Sequence, residues 1–515
     1  MRFPALPVPR VRLRAALPGL GAVVLAAACG ARARPASGAP TPAPAATSPT
    51  PRTPAASSTR PPGGRAPAAA GALSAPNADP FPSTYRAFPS RPTVIRNVTL
   101  MTAAGPTVRN GAILLRDGKI AAVGPAVDAP ADAVVIDGAG KYVTPGIIDT
   151  HSHVGAGGAP GGSGTLTNDV NEATSPVTAQ VWVEHSVWPQ DAQFPRTLAG
   201  GVTTIQVLPG SANLIGGRSV TLKVVPSRSV QGMKFPGAKY GLKMACGENP
   251  KRVYAQRGPS TRMGNVAGYR AAWIQAEAYR RRWDAYLAGN RQGDPPTRDL
   301  GQETLAEVLR GNILVHNHCY RADEMMQMID VAREFGYQIR SFHHGVEAYK
   351  IADVLARDSI SGSLWADWGG FKLEAVDGIR ANIALVHAAG ARAIVHSDDA
   401  SGEQRLHQEA AKALAAGRAA GLGVTEDDAI RWLTVNPAWA LGIDDRTGTL
   451  QAGKNADVVL WSGNPFSVYT RAEKVWVDGA MLFDRADAQQ RWRTDFELGF
   501  VPAATPVTPA AGGRP

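Results

Sequence analysis

The chain has 515 residues, 44% hydrophobic and 19% charged, which is enough apolar material for a large core and more than one domain. Its formal net charge of +11 does not signal a nucleic-acid partner: nine arginines precede residue 76 with no acidic residue among them, leaving 11 − 9 = +2 for the rest. Three cysteines, Cys29, Cys246 and Cys319, are too few for a disulfide framework.

Residues 1–28 read as a signal peptide, with arginines at 2, 10, 12 and 14, the apolar or small run Ala15 to Ala28, and alanines before Cys29. The apolar run is too short to span a bilayer permanently, so export to the periplasm or cell surface is the expectation. Cys29 sits where bacterial lipoproteins carry their lipidated cysteine, although Leu25 lies four residues before it where the pattern prefers three. Lipidation of Cys29, giving a membrane tether, is the favoured outcome, and plain cleavage to a soluble form is the alternative. Residues 29–80 form a Pro/Ala-rich linker, with ten prolines and thirteen alanines between 31 and 70, and 501–515 form a similar tail. Such compositions cannot bury enough apolar area to offset chain entropy, so both are expected to be disordered.

From residue 93 short β-rich runs begin, TVIRNVTLMT, GAILLRDGKIAAVG and AVVIDGAGKYVTPG, broken by Asp-Gly and Gly-rich turns. The same texture returns in GTLQAGKNADVVLWS and KVWVDGAMLFD. Residues 92–146 and 444–485 therefore predict one small β-sandwich domain assembled from both flanks. The centre, 147–443, alternates strand-like runs with helical patterns such as RADEMMQMIDVAREFG. Eight strands are read there: PGIIDTHSH, GVTTIQVLP, SVTLKVV, GLKMACGE, NILVHNH, QIRSFHH, SISGSLWAD and ARAIVHSDD. The pattern predicts an α/β fold, a (β/α)8 TIM barrel. Cys246 and Cys319 lie inside such runs and read as buried thiols, or as one bridge if their strands are neighbours.

In TPGIIDTHSHVG the apolar run ends in an acid and two histidines one residue apart, His151 and His153, which project the same way from a strand. Most of the ten histidines close proposed strands: His316 and His318, His343 and His344, and His396 two residues before Asp398. Barrel active sites form at the C-terminal strand ends, so these groups should converge above one mouth. Imidazole and carboxylate suit zinc or another divalent ion, one or two of them. His316 and His396, set deeper, read as hydrogen-bonded supporting residues, and His185, His387 and His407 receive no metal role. The Gly-rich loop 155–164 is read as a surface loop or a lid.

PGIIDTHSHVG, GVTT, SANLIGGRSVTLK, the strand-five and strand-six histidines, HSDD and TVNPAWALGIDDRTGTLQAGKNADVVLWSGNPF together resemble the amidohydrolase superfamily, nearest its imidazolonepropionase-like and exported-peptidase-like branches. The resemblance implies a metal-dependent hydrolase barrel with a split β-sandwich. By motif position it makes His151, His153, His318, His344 and Asp398 metal ligands, with Asp398 also handling the proton. For the strand-four ligand, GLKMACGEN offers Glu248 or a carboxylated Lys243, and Glu248 is preferred as a ready-made anion.

The expected reaction is hydrolysis of a C–N bond, amide, peptide-like or cyclic, in a small molecule or peptide, with Asp398 passing a proton from water to the leaving nitrogen. Deamination on the same fold is the nearest rival, weakened because Arg321 stands where deaminase relatives place a glutamate. Arg321 either clamps a substrate carboxylate or pairs with Asp323 or Glu324. A non-catalytic, metal-containing binding lipoprotein is the remaining alternative. A homo-oligomer without nucleic-acid partners is expected.

Overall fold

A computed structural model describes residues 75–157, 168–487 and 492. The leader with Cys29, the linker up to residue 74, most of the 155–164 loop and the 501–515 tail lie outside them. The described chain is mixed α/β and TIM-barrel-like, with two eight-stranded sheets.

The first sheet draws on both flanks. β1 (Thr93–Leu100), β2 (Val108–Arg116), β3 (Lys119–Gly124), β4 (Val134–Asp137) and β5 (Tyr142–Pro145) come from one side of the centre. The flank after the centre contributes the last three strands, Val458–Trp461, Ala472–Val477 and Ala480–Asp484. Val458–Trp461 pairs antiparallel with β5, so the two flanks share one continuous sheet. Its hairpins turn on Asp-Gly: Asp117 and Gly118 take φ of 52° and 76°, and Asp478 and Gly479 take 45° and 75°. Positive φ at both central residues matches the twist of paired strands, which is why Asp-Gly recurs. Ile95, Ile113, Val143, Val458 and Trp476 form this sheet's own core.

The central sheet holds β6 (Ile147–Ser152), β7 (Val202–Val207), β8 (Ile215–Lys223), β9 (Gly241–Ala245), β10 (Leu314–Cys319), β11 (Ile339–His344), β12 (Ser361–Leu364) and β13 (Ala393–Val395), paired in chain order. With the flank strands numbered β14 to β16, sixteen strands account for both sheets. Helices follow most central strands: α1 (Gln193–Ala199) precedes β7; α2 (Glu248–Val253), α3 (Arg262–Ala288) and α4 (Leu300–Leu309) precede β10. α5 (Ala322–Phe335) precedes β11, α6 (Ala352–Arg357) precedes β12, and α7 (Asn382–Ala388) precedes β13. β7 and β12 are buried along their whole length, as expected of strands covered on both faces. α5 carries Asp323 and Glu324 in its first turn and stops at Gly336, whose φ of 71° closes the helix C-terminus.

Two features differ from the sequence expectation, and a third is an insertion between strands. β8 pairs antiparallel with both β7 and β9, so seven central strands share a direction and the third is reversed. A parallel pair needs a crossover of a dozen or more residues, and the loop between β7 and β8 is too short for one. Second, the linker ends before residue 80: the Ala78 carbonyl accepts from Arg218 Nη1 at 2.7 Å, and Asp79 lies 3.3 Å from Lys234 Nζ. Third, α3 and α4 form a long helical excursion after β9 that burial of Tyr269, Trp273, Ala276 and Trp283 fixes in place.

Candidate metal centre

β6, β10 and β11 run in the same direction, so the histidines at their ends arrive at one rim of the sheet. β13 ends just short of His396 and Asp398, and the Asp398 amide donates to the His151 carbonyl at 3.0 Å, bringing the first and last central strands together. Asp149 braces the same junction by accepting from the His151 amide at 3.0 Å, the Ser397 amide at 3.3 Å and the Ser397 hydroxyl.

Adjacent strand residues should face opposite ways, yet both His343 and His344 reach the cluster. His344 has φ of 71°, and this left-handed residue breaks the alternation. Asp398 has φ of 60°. Such conformations cost on the order of 1–3 kcal/mol at non-glycine residues and persist where the surroundings enforce them.

Asp398 is the hub. Its Oδ1 lies 3.3 Å from His151 Nε2 and 3.2 Å from His153 Nε2, and its Oδ2 lies 3.9 Å from His344 Nδ1. Two sets of donor atoms, from His151, His344 and His396 and from His151, His153 and Asp398, each converge within 4.8 Å. His318 packs its ring 4.5 Å from that of His344 and shares a 3.3 Å contact with the Asn249 amide. Behind the cluster, His151 Nδ1 meets His343 Nδ1 at 2.8 Å, and His343 Nε2 meets His316 Nδ1 at 2.9 Å. His153 Nδ1 meets the Leu208 carbonyl at 2.9 Å, which orients that ring.

Burial holds His151, His318, His343 and His344 well below the usual imidazole range, and holds His316 and His396 down to about 3. These rings are therefore neutral at physiological pH, the form that donates a lone pair to a metal. Burial alone would raise the Asp398 carboxyl, but His344, His153 and His396 around it hold it below the usual carboxylate range. His344 Nδ1 and both nitrogens of His396 are buried with no hydrogen-bond partner. Buried polar atoms are normally satisfied, so neutral, convergent and unpartnered nitrogens beside an ionised carboxylate fit a divalent cation.

Of the sequence-predicted residues, His151, His153, His318, His344 and Asp398 come together. Of the two strand-four candidates, Lys243 Nζ lies 3.2 Å from His151 Nε2, whereas a Glu248 carboxylate oxygen lies 3.5 Å from Lys372 Nζ. Gly247, with φ of 82°, turns the chain just before Glu248. Burial lowers the Lys243 amine to about 8 despite the nearby Asp398 charge. Arg321, considered as a substrate clamp, forks onto Asp323 at 2.9 and 3.1 Å and faces solvent. His316 is a supporting residue as expected. His396, also read as supporting, joins one converging set with His151 and His344. Asp149 and His343 were given no role. Cys246 and Cys319 end neighbouring strands and are bridged, with Cα atoms 5.3 Å apart, directly beside His318.

Comparison with known proteins agrees with this geometry. The family model described as "Amidohydrolase family" matches residues 142–482. A solved amidohydrolase from Thermotoga maritima MSB8 is 36% identical with a TM-score of 0.70, covering 76% of this chain and all of that one. A curated amidohydrolase, tasK of Hapsidospora irregularis, is 33% identical over 402 residues, 73% of this chain but 39% of that longer protein. An imidazolonepropionase from Shewanella frigidimarina is 23% identical over 391 residues, 70% of this chain and 88% of that one.

Proposed function

The chain belongs to the amidohydrolase family and is a hydrolase acting on C–N bonds, and from that premise we propose an exported, metal-dependent enzyme that cleaves an amide-type bond in a small molecule or peptide. The ion, zinc by donor chemistry, would be held by His151, His153, His318, His344 and Asp398, with His396 beside them. A divalent ion bound there supplies water activation and Lewis-acid polarisation of a carbonyl. Asp398 accepts the proton of the attacking water and returns it to the leaving nitrogen. Lys243, once carboxylated, adds anionic oxygens for a second ion, and its lowered pKa favours the free amine that this modification needs. The architecture we assign is a (β/α)8 barrel over 147–443 with a reversed third strand, and a small sandwich from 92–146 and 444–485. Export, with or without a lipid on Cys29, is supported by the charged apolar leader and by the Cys246–Cys319 bridge, which suits an oxidising compartment.

The observation that carries this reading is the convergence of imidazoles from separate strands on Asp398 with ring nitrogens left over. The test is to assay N-acyl amino acids, dipeptides and cyclic imides or imidazolones before and after exhaustive chelation, then after zinc is restored. Loss and recovery of hydrolysis are expected; full activity in chelated protein would falsify the mechanism. Counting bound metal in Lys243→Ala and Glu248→Ala should show a deficit only in the first. Deamination is the weaker reading, because Arg321 occupies the position of the expected glutamate and is paired with Asp323.

A further inference from the structure

A cavity of about 300 Å³ beside the cluster is lined by His344, Trp365, Trp368, the apolar Val346 and Ile379, and Arg380. The Trp365 ring lies 4.3 Å from that of His344 and stacks on Trp368 with centres 5.3 Å apart. Its indole N–H donates to the Ser397 carbonyl at 3.1 Å, which ties the wall to the residue preceding Asp398. Phe371, Leu373 and Val376 stand exposed at 57%, 83% and 61% on the same segment, an apolar margin to the cavity.

The charges around this cavity are unequal in one respect. Asp367, its lining carboxylate, is paired with Lys412 at 2.7 Å. Other cations nearby are also engaged: Lys350 with Glu347 and Asp377 at 3.0 and 3.1 Å, Lys372 with Asn249 at 2.9 Å, and Arg262 with Glu324 at 2.6 Å. Among the described residues Arg380 makes no ion pair or hydrogen bond. Arg380 is exposed, and a guanidinium without an internal partner on a cavity that also presents two indole rings suits a ligand that is anionic at one point and apolar at another.

We propose that Arg380 binds a substrate carboxylate while Trp365 and Trp368 seat an aromatic or bulky apolar group, so that the enzyme takes N-acylated or peptide-linked apolar amino acids with a free carboxyl end. This rests on the hydrolase reading for what happens next, but the binding claim is separable from it. The experiment is calorimetric titration of the full chain with N-acetyl-L-phenylalanine and with its carboxamide, alongside Arg380→Gln, Arg380→Lys and Trp368→Ala, each checked for an unchanged melting temperature. The acid should bind at least about tenfold more tightly than the amide, the scale of one lost charge-assisted hydrogen bond. Arg380→Gln should erase that preference, Arg380→Lys should keep part of it, and Trp368→Ala should weaken both probes equally. Equal affinities in the wild type, a preference that survives Arg380→Gln, or no binding of either probe at millimolar concentration each overturns the proposal. If the acid preference holds while metal-loaded protein hydrolyses none of the panel, the catalytic reading fails and this one stands.

Discussion

Two buried clusters of ionisable side chains lie at the ends of central strands, and they are built in opposite ways. At the end of the reversed strand β8, Lys223 Nζ sits 2.9 Å from Asp478 and 3.4 Å from Asp457. Asp457 also accepts from the Thr447 hydroxyl at 3.0 Å and the Asp478 amide at 2.9 Å, and Tyr85 donates to Asp478 at 2.6 Å. Each charged group there has opposite charge or a donor facing it, and the cluster ties β8 to the flank sheet. At the rim where β6, β10 and β11 end, the imidazoles face one another and Asp398, leaving His344 Nδ1 and the whole His396 ring unanswered. The closed cluster stabilises the fold. The open one carries a local cost that a bound cation would remove, in keeping with the function proposed for it.

The sharpest way to break this contrast is to change one carboxylate in each cluster. Asp398→Asn should keep its fold and lose about 10²–10⁴-fold in kcat, the range for a group that moves a proton in the transition state. Asp457→Asn should leave kcat of the folded protein unaltered while lowering its denaturation midpoint. If the two variants exchange phenotypes, the assignment of open and closed clusters is wrong.

Removing the cation of the closed cluster comes next in size. Lys223→Met strands Asp457 and Asp478 in a site from which water is excluded, and breaking such a pair typically costs about 3–5 kcal/mol. Urea unfolding should report that loss, and a variant as stable as the wild type would mean that the carboxylates were neutral all along.

The Cys246–Cys319 bridge sharpens the comparison from the other side, because it braces the open cluster without belonging to it. It closes a loop of sequence separation 73, and the double Cys→Ser change should cost about 2–4 kcal/mol. Because Cys319 adjoins His318, metal affinity should fall along with stability. A stability loss with unaltered metal affinity would show that the strand ends hold their ligands unaided.

How far the sequence anticipates these clusters follows from the range of the interactions involved. His151 and His153, spaced two apart after an apolar strand, and the Asp-Gly hairpins are local signals, and both are where the pattern puts them. The direction of β8 is not marked in the strand itself: its residues are buried throughout like those of β7, and only a loop too short for a crossover reverses it. For the same reason Lys223 reads as one charge in a strand, since its partners Asp457 and Asp478 lie more than two hundred residues away. Between Glu248 and Lys243 the sequence weighs only formal charge, which ranks the lysine second; how far burial lowers its amine depends on packing that no local pattern carries. Depth along a strand likewise does not reveal the left-handed backbone at His344 and Asp398, on either side of which the strand alternation breaks.

A final and smaller effect separates burial from convergence. His407 is buried against Trp461, ring centres 4.9 Å apart, and belongs to neither set of converging donors among the described residues. Burial pushes its imidazole down to about 4. The unfolded chain, with an imidazole near 6.5, binds the proton first, so stability is complete above about pH 6.5 and is lost as pH falls toward 4, by at most roughly 1.4 kcal/mol per pH unit. His407→Leu should flatten that acid limb in denaturant titrations and leave neutral-pH activity as it was. His316 and His396, lowered to about 3, contribute losses of the same sign, so the limb should shrink rather than disappear. An unchanged slope would mean that the folded state takes up a proton at residue 407 as readily as the unfolded chain, and a drop in activity would tie this residue to the site. With stability altered and catalysis intact, the distinction between a merely buried imidazole and one aimed at shared neighbours holds at a third position.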